Sequence, residues 1–299
     1  MSTNARGRGV RGGFTRGGSI ALAAMSLSLS GLLRSEDRVQ PTSAPPPADS
    51  AIITEDSVAK TDEEEEFNLF ESLQRDLTVI RTRTDLVSEF TDLRGSGWSE
   101  KLTLGGTLGF QLPGVDREHE FGVRLQAPLV VEDPGPDSIE TGLGDVELKI
   151  GWAFIPDEEN RLGVFTNFVF DTARDDILGD NRNDYSIGLA ASHEVIANRF
   201  SVFVLAEYLD TITHENDVSS RSALELSFKP IVKIAGPVAF NVLLKDKWDF
   251  DADDHFALIE PGLSVLVVER HLGLSTSLEI PLDDESYNYI AKIGMVWFY

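Results

Sequence analysis

From Leu77 to Tyr299, apolar side chains recur at every second position in long blocks. That period limits the fold more than any other feature. Phe121, Val123, Leu125, Ala127 and Leu129 alternate with Gly122, Arg124, Gln126 and Pro128. Val146, Leu148, Ile150, Trp152 and Phe154 alternate with Glu147, Lys149, Gly151 and Ala153. Further on, Leu224, Leu226 and Phe228 oppose Glu225, Ser227 and Lys229, and Ala291, Ile293, Met295 and Trp297 oppose Lys292 and Gly294. Successive residues of a strand point to opposite faces, so each block has one greasy face and one polar, small-residue face. A soluble β-sandwich makes the same pattern with its greasy face turned inward.

Block length and connection rhythm favour a membrane wall. Lys101–Pro113, Glu118–Val131, Leu143–Phe154, Arg199–Asp210 and Tyr287–Tyr299 outrun ordinary globular strands and meet the roughly 9–11 residues that a tilted membrane strand needs. Short connections near Gly114–Arg117, Ile196–Asn198, Ala235–Pro237 and Glu269–His271 interleave with longer ones. The longer ones lie near Thr91–Glu100, Glu132–Thr141, Thr172–Asp184, Thr211–Arg221 and Lys247–Asp254. An up-and-down barrel with short periplasmic turns and long outer loops has this rhythm. The expectation is an all-β, transmembrane, antiparallel up-and-down β-barrel over 76–299, of about twelve strands. Their starts fall near 78, 101, 118, 143, 161, 185, 199, 222, 238, 255, 272 and 287.

Residues 1–34 read as a signal peptide. Arg6, Arg8, Arg11 and Arg16 precede the apolar stretch Ile20–Leu33, which is too short and too serine-rich for a membrane helix. Residues 35–75 read as an acidic, proline-rich linker, with Pro45–Pro47 and Glu63–Glu66 unable to build a core. Phe67, Phe70, Leu73 and Leu77 are spaced for a turn or two of amphipathic helix.

Thr141-Gly142-Leu143-Gly144-Asp145-Val146-Glu147-Leu148-Lys149 opens one strand, and Arg83-Thr84-Asp85 opens the first. These segments resemble the family named for the MetA pathway of phenol degradation, whose members are outer-membrane barrels described as transporters. The resemblance implies a pore for small, hydrophobic or aromatic compounds and carries over no substrate residues. In physical terms, Gly142 and Gly144 would ease a bulge, and Asp145 would begin an inward row. The Trp297-Phe298-Tyr299 end resembles the terminal strand that barrel-assembly machinery recognises.

With the greasy face outward, the inward set is Arg124, Gln126, Glu147, Lys149, Asn167, Glu207, Glu225, Lys229, Lys245, Glu279 and Lys292. Such residues line water and set selectivity, or pair with one another and fill the bore. Phe165, Phe203 and Leu205 share that face, as do the small residues Gly105, Gly188 and Ser275. Asp249, Asp251 and Asp253 make a weak calcium-loop pattern closed by Glu260, because Asp254 stands where such a loop needs glycine.

The 50 acidic against 26 basic residues, a formal charge of −24, argue against nucleic acid. The absence of cysteine excludes thiolate metal sites, disulfides and cysteine nucleophiles. The five histidines show no metal spacing, and His193 and Ser192, as strand neighbours, point apart and cannot pair as base and nucleophile. The reading is an outer-membrane channel of a Gram-negative-type cell, with no cofactor and no catalytic residues. Its partners would be lipid, lipopolysaccharide, the assembly machinery and a small solute. A structural barrel with acidic loops and a secreted soluble β-protein are the alternatives.

Overall fold

The structure is a computed structural model that describes residues 78–299 apart from 95–96, 117, 134–138, 158, 175–177, 215–219, 269–270 and 284–286. The expected signal peptide, linker and short helix lie outside the described residues.

Among the described residues thirteen strands follow one another: β1 (Arg83–Leu93), β2 (Trp98–Phe110), β3 (His119–Asp133), β4 (Glu140–Leu143), β5 (Val146–Phe154), β6 (Asn160–Phe170) and β7 (Arg182–Ile196). Then come β8 (Phe200–His214), β9 (Ser222–Ala235), β10 (Val238–Asp249), β11 (Asp254–Val268), β12 (Leu272–Pro281) and β13 (Tyr287–Phe298). Every pairing is antiparallel between chain neighbours, and β1 closes the ring on β13 with Arg83 opposite Phe298. β4 and β5 both pair with β3 and form one interrupted stave, so the wall is a closed barrel of twelve staves. Closure leaves no sheet edge open to the bilayer.

The alternation dictates which way the wall faces. Leu125, Leu189 and Ile293 are 55%, 62% and 66% exposed, and similar apolar side chains stand out from the other strands. Lys101, Ser186 and Ser264, on the opposite face, are almost fully buried. In water each large apolar side chain left exposed forgoes about 1.5–3 kcal/mol. A continuous apolar coat around a polar interior is stable only in hydrocarbon. A soluble sandwich would bury the first set and expose the second.

The interruption of the β4–β5 stave is a β-bulge. Leu129 faces Leu143 on one side of it and Gln126 faces Glu147 on the other, so Gly144–Asp145 carries one extra residue. Pro128 lies opposite, with no N–H to give, and its carbonyl takes the Gly144 N–H at 2.9 Å.

Two boundaries differ from the expectation. The first strand starts at Arg83 rather than near 78, because residues 78–82 leave the wall and turn into the interior. The supposed long loop Lys247–Asp254 is a tight hairpin in which Asp249 pairs with Asp254. Strand pairing there continues beyond the apolar coat, where the sequence carries no greasy alternation. At the turn after β5, Asp157 accepts from the backbone N–H groups of Glu159 at 3.0 Å and Asn160 at 2.7 Å. Its bonds to Asn160, the side-chain amide first, hold that carboxyl below the ordinary carboxylate range.

Candidate functional site: the barrel lumen

The inner wall is built from the alternate positions of all the staves. Arg124 and Gln126 come from β3, Glu147 and Lys149 from β5, and Asn167 from β6. Glu207 comes from β8, Glu225 and Lys229 from β9, Lys245 from β10, Glu279 from β12 and Lys292 from β13. The strand register sets them all on one face with the buried Lys101 and Asn241.

Over β10–β13 and β1–β5, these side chains pair with one another. Lys292 Nζ lies 2.7 Å from Glu260 and 2.6 Å from Glu279. Glu260 also accepts from the Ser277 hydroxyl, and Glu279 from the Tyr287 hydroxyl, each at 2.6 Å. Lys245 meets Glu225 of β9 at 2.9 Å, and Lys101 meets Glu89 at 3.2 Å. Arg124 bonds Asp85 at 2.8 Å through Nη1 and Gln126 at 2.8 Å through Nε. Gln126 passes its amide to Glu147 at 2.8 Å. Opposite charges so placed compensate each other's desolvation and leave no ring of one sign.

The wall over β6–β8 differs. Phe165, Gly188, Ala190, Phe203 and Leu205 face inward there and form an apolar strip. Phe165 lies so close over Gly188 that any Cβ at that position would collide with the ring. Lys149 Nζ stands 4.8 Å from the Phe165 ring centroid and Lys229 Nζ 5.3 Å from that of Phe203, both within cation–π range. Glu207 accepts a bond from Ser186.

Both mouths are narrowed by chain. At the short-turn end, Thr78 is fully buried, with its hydroxyl 2.8 Å from that of Ser192 on β7. The Ile80 N–H donates to Glu120 at 3.2 Å, and the Ile80 side chain lies against Gly109 and Gly122, where no Cβ stands in its way. Ile231, Ala239, Leu266, Val296 and Phe298 form a buried apolar cluster. At the other end, the loop after β6 folds onto the bulge. Asp145 accepts the N–H groups of Thr172 at 3.0 Å, Ala173 at 3.1 Å and Asp180 at 2.8 Å, while Leu178 packs at Gly142. Asp145 therefore holds a loop, a different task from the inward row expected of it.

The weak calcium pattern does not assemble. Asp249 is engaged with the Ala252 N–H at 3.0 Å and with Arg221 at 3.6 Å. Among the described residues, no three acidic or histidine groups converge with Asp251 or Asp253. His193 is on the outer face, bonded to Asn160 at 3.0 Å, while Ser192 points inward. Phe298 is buried, whereas Trp297 and Tyr299 face outward, and the Tyr299 N–H donates to the Thr82 carbonyl at 3.1 Å.

Sequence reasoning passed over Asp85, Glu89, Lys101 and Glu260 as inward residues. The first two alternate inward from Arg83 along β1, a signal that was present. Lys101 stands at the expected start of a strand, and Glu260 lies within an expected strand while also closing the weak calcium pattern.

No protein-family model matches this chain, and no curated protein matches it in sequence. Solved structures do. An outer membrane channel from Pseudomonas putida F1 superposes with a TM-score of 0.61 at 12% identity, over 74% of this chain and 96% of that one. The NanC porin superposes at 0.53 with 9% identity, over 72% and 99%. The chain has the fold of outer-membrane channel and porin barrels.

Proposed function

We propose that this protein is a passive outer-membrane channel for small organic solutes of low net charge, apolar or aromatic ones included. The observation that carries this reading is the division of the inner wall. Its ions pair laterally with one another, and a separate strip around Phe165, Phe203 and Leu205 is apolar. A wall with paired charges offers no strong well or barrier to an ion, while an aromatic strip gives an uncharged solute something to slide along. The short turns would face the periplasm and the loops the exterior, where the acidic rim would meet lipopolysaccharide through divalent cations. Residues 78–82 would be the narrowest obstacle on the periplasmic side. The resemblance to the phenol-degradation family points to the same solute class. The aromatic end, Trp297–Tyr299, would serve recognition by the assembly machinery.

Liposome swelling tests the proposal. Proteoliposomes should swell faster in small neutral aromatic or polyol solutes than in charged solutes of equal size. A folded, heat-modifiable barrel that passes none of them would reject it. The second reading, a structural barrel, is favoured by the plugging of the short-turn mouth through Thr78 and Ile80. It requires that removal of residues 78–82 leave the barrel non-conducting.

A further inference from the structure

Apart from Pro281, which ends β12, three prolines stand inside the paired wall: Pro128 in β3, Pro230 in β9 and Pro261 in β11. A proline has no N–H, so each leaves one rung of a ladder without its donor. The bulge at Gly144–Asp145 accommodates Pro128. The other two sit in stretches whose register runs on unshifted, the shifts in β9 and β11 lying near the strand ends. Pro230 still pairs with Val202 of β8, and Pro261 with Val242 of β10. On their far sides pairing lapses. Between β9 and β10 it stops at Asn241↔Ile231 and resumes at Leu244↔Phe228. Between β11 and β12 it stops at Ile259↔Ile280 and resumes at Gly262↔Ser277.

The register is the same before and after each gap, so the strands stay level. Antiparallel geometry then points the missing donors at the carbonyls of Val242 and Leu278. The two gaps fall in one row, because Pro230, Val242, Pro261 and Leu278 are successive neighbours across β9, β10, β11 and β12. Between them, β10 and β11 are paired without a break from Val238↔Val265 to Asp249↔Asp254. The hairpin is thus intact within itself and lacks one ladder hydrogen bond to each neighbour at one height.

Charged side chains bridge both flanks from the lumen side. Lys245 of β10 reaches Glu225 of β9. Glu260 of β11, next to Pro261, takes the Ser277 hydroxyl of β12 and the Lys292 ammonium of β13, and Lys292 also holds Glu279 of β12.

We propose that the β10–β11 hairpin is a hinged panel of the wall, held shut by the Lys245–Glu225 and Glu260–Lys292 pairs. Panel motion would modulate the conducting path, and in that respect alone the inference rests on the channel reading. The test is amide hydrogen exchange of the full barrel in lipid nanodiscs. Lys292→Met and, on the opposite flank, Glu225→Gln should each accelerate exchange at Val242 and Leu278, whose N–H groups point across the gaps, by about tenfold. Exchange in β5–β7 should stay unchanged. Glu225→Gln stands alone if Lys292→Met does not assemble.

Because the chain has no cysteine, Lys229→Cys with Leu243→Cys, which the register sets opposite each other in the β9–β10 gap, can oxidise only there and leaves both prolines in place. Oxidation should return exchange at Val242 to the slow rate in the clasp variants. Unchanged exchange in both clasp variants, or acceleration spread evenly around the barrel, overturns the panel. A barrel that never conducts but whose exchange responds as stated would retain the panel and reject the channel.

Discussion

Arg124 on β3 reaches Asp85 on β1 across the whole of β2, through the space left at Gly105. A Cβ at Gly105 would stand 2.6 Å from the Asp85 carboxylate and 2.7 Å from the Arg124 guanidinium. The glycine is therefore what lets a bidentate pair form between staves that do not touch. Gly105→Ala should destabilise the barrel by roughly 1–3 kcal/mol, the usual range for overpacking. Gly105→Val should cost more, since it parts two buried charges. The check is urea unfolding in detergent followed by heat-modifiable gel mobility. Unchanged midpoints for both variants would contradict the pairing across β2.

Asp145 takes three backbone N–H groups from the loop after β6. In Asp145→Ala these donors lose their acceptor, at about 1–3 kcal/mol for a buried group and less where water can replace it. The loop should then lift from the bulge and free the chain around the already exposed Arg174 to enter the trypsin cleft. The expected result is faster cleavage after Arg174 with the rest of the barrel resistant, read by mass spectrometry of the limited digest. Asp145→Asn keeps one acceptor oxygen and should fall between the two.

What could be read from the sequence follows from where each signal comes from. The period of two is imposed by the pleat wherever one side meets lipid, so Leu125, Ile150 and Ile293 announced the outer face. Arg124, Glu147 and Lys292 consequently had to lie on the other. Thr78–Thr82 carry no mark of their departure from the wall. Their turn inward depends on space beside Gly109 and Gly122, on strands far along the chain. Asp249 and Asp254 pair above the apolar coat, where no greasy alternation exists to reveal it. Pro230 and Pro261 are visible in the sequence, but the neighbour each one fails is decided only by register.

Ile80 is the apolar part of the short-turn obstruction, lying against Gly109 and Gly122. Ile80→Gly keeps the backbone and its bond to Glu120 while removing the side chain. Single-channel conductance in planar bilayers should rise, by roughly twofold if this is the narrowest point, since conduction is set at the constriction. Gly122→Val adds bulk at the same place from the wall and should lower conductance where residues 78–82 stay seated. Equal conductance for wild type and Ile80→Gly would place the resistance elsewhere.

Lys149, like Lys229 over Phe203, differs from the remaining inner-wall lysines in lying on an aromatic ring. Lys101, Lys245 and Lys292 are each set on a carboxylate, whereas the Lys149 ammonium rests on the face of Phe165. Arg124, its opposite neighbour on β3, is committed to Asp85. A charge held by a ring is less compensated than one held by a carboxylate, so Lys149 should add more to the positive potential that a passing solute meets than Lys245 does. Reversing it in Lys149→Glu should raise the preference for cations over anions by roughly threefold. The reversal potential across a potassium chloride gradient measures that preference. Lys245→Glu should shift it less in the wall's favour and cost more stability, because it sets two carboxylates side by side with Glu225. If the two variants move the reversal potential equally, lateral pairing does not shield the lumen charges, and the reading of the wall as electrically quiet fails.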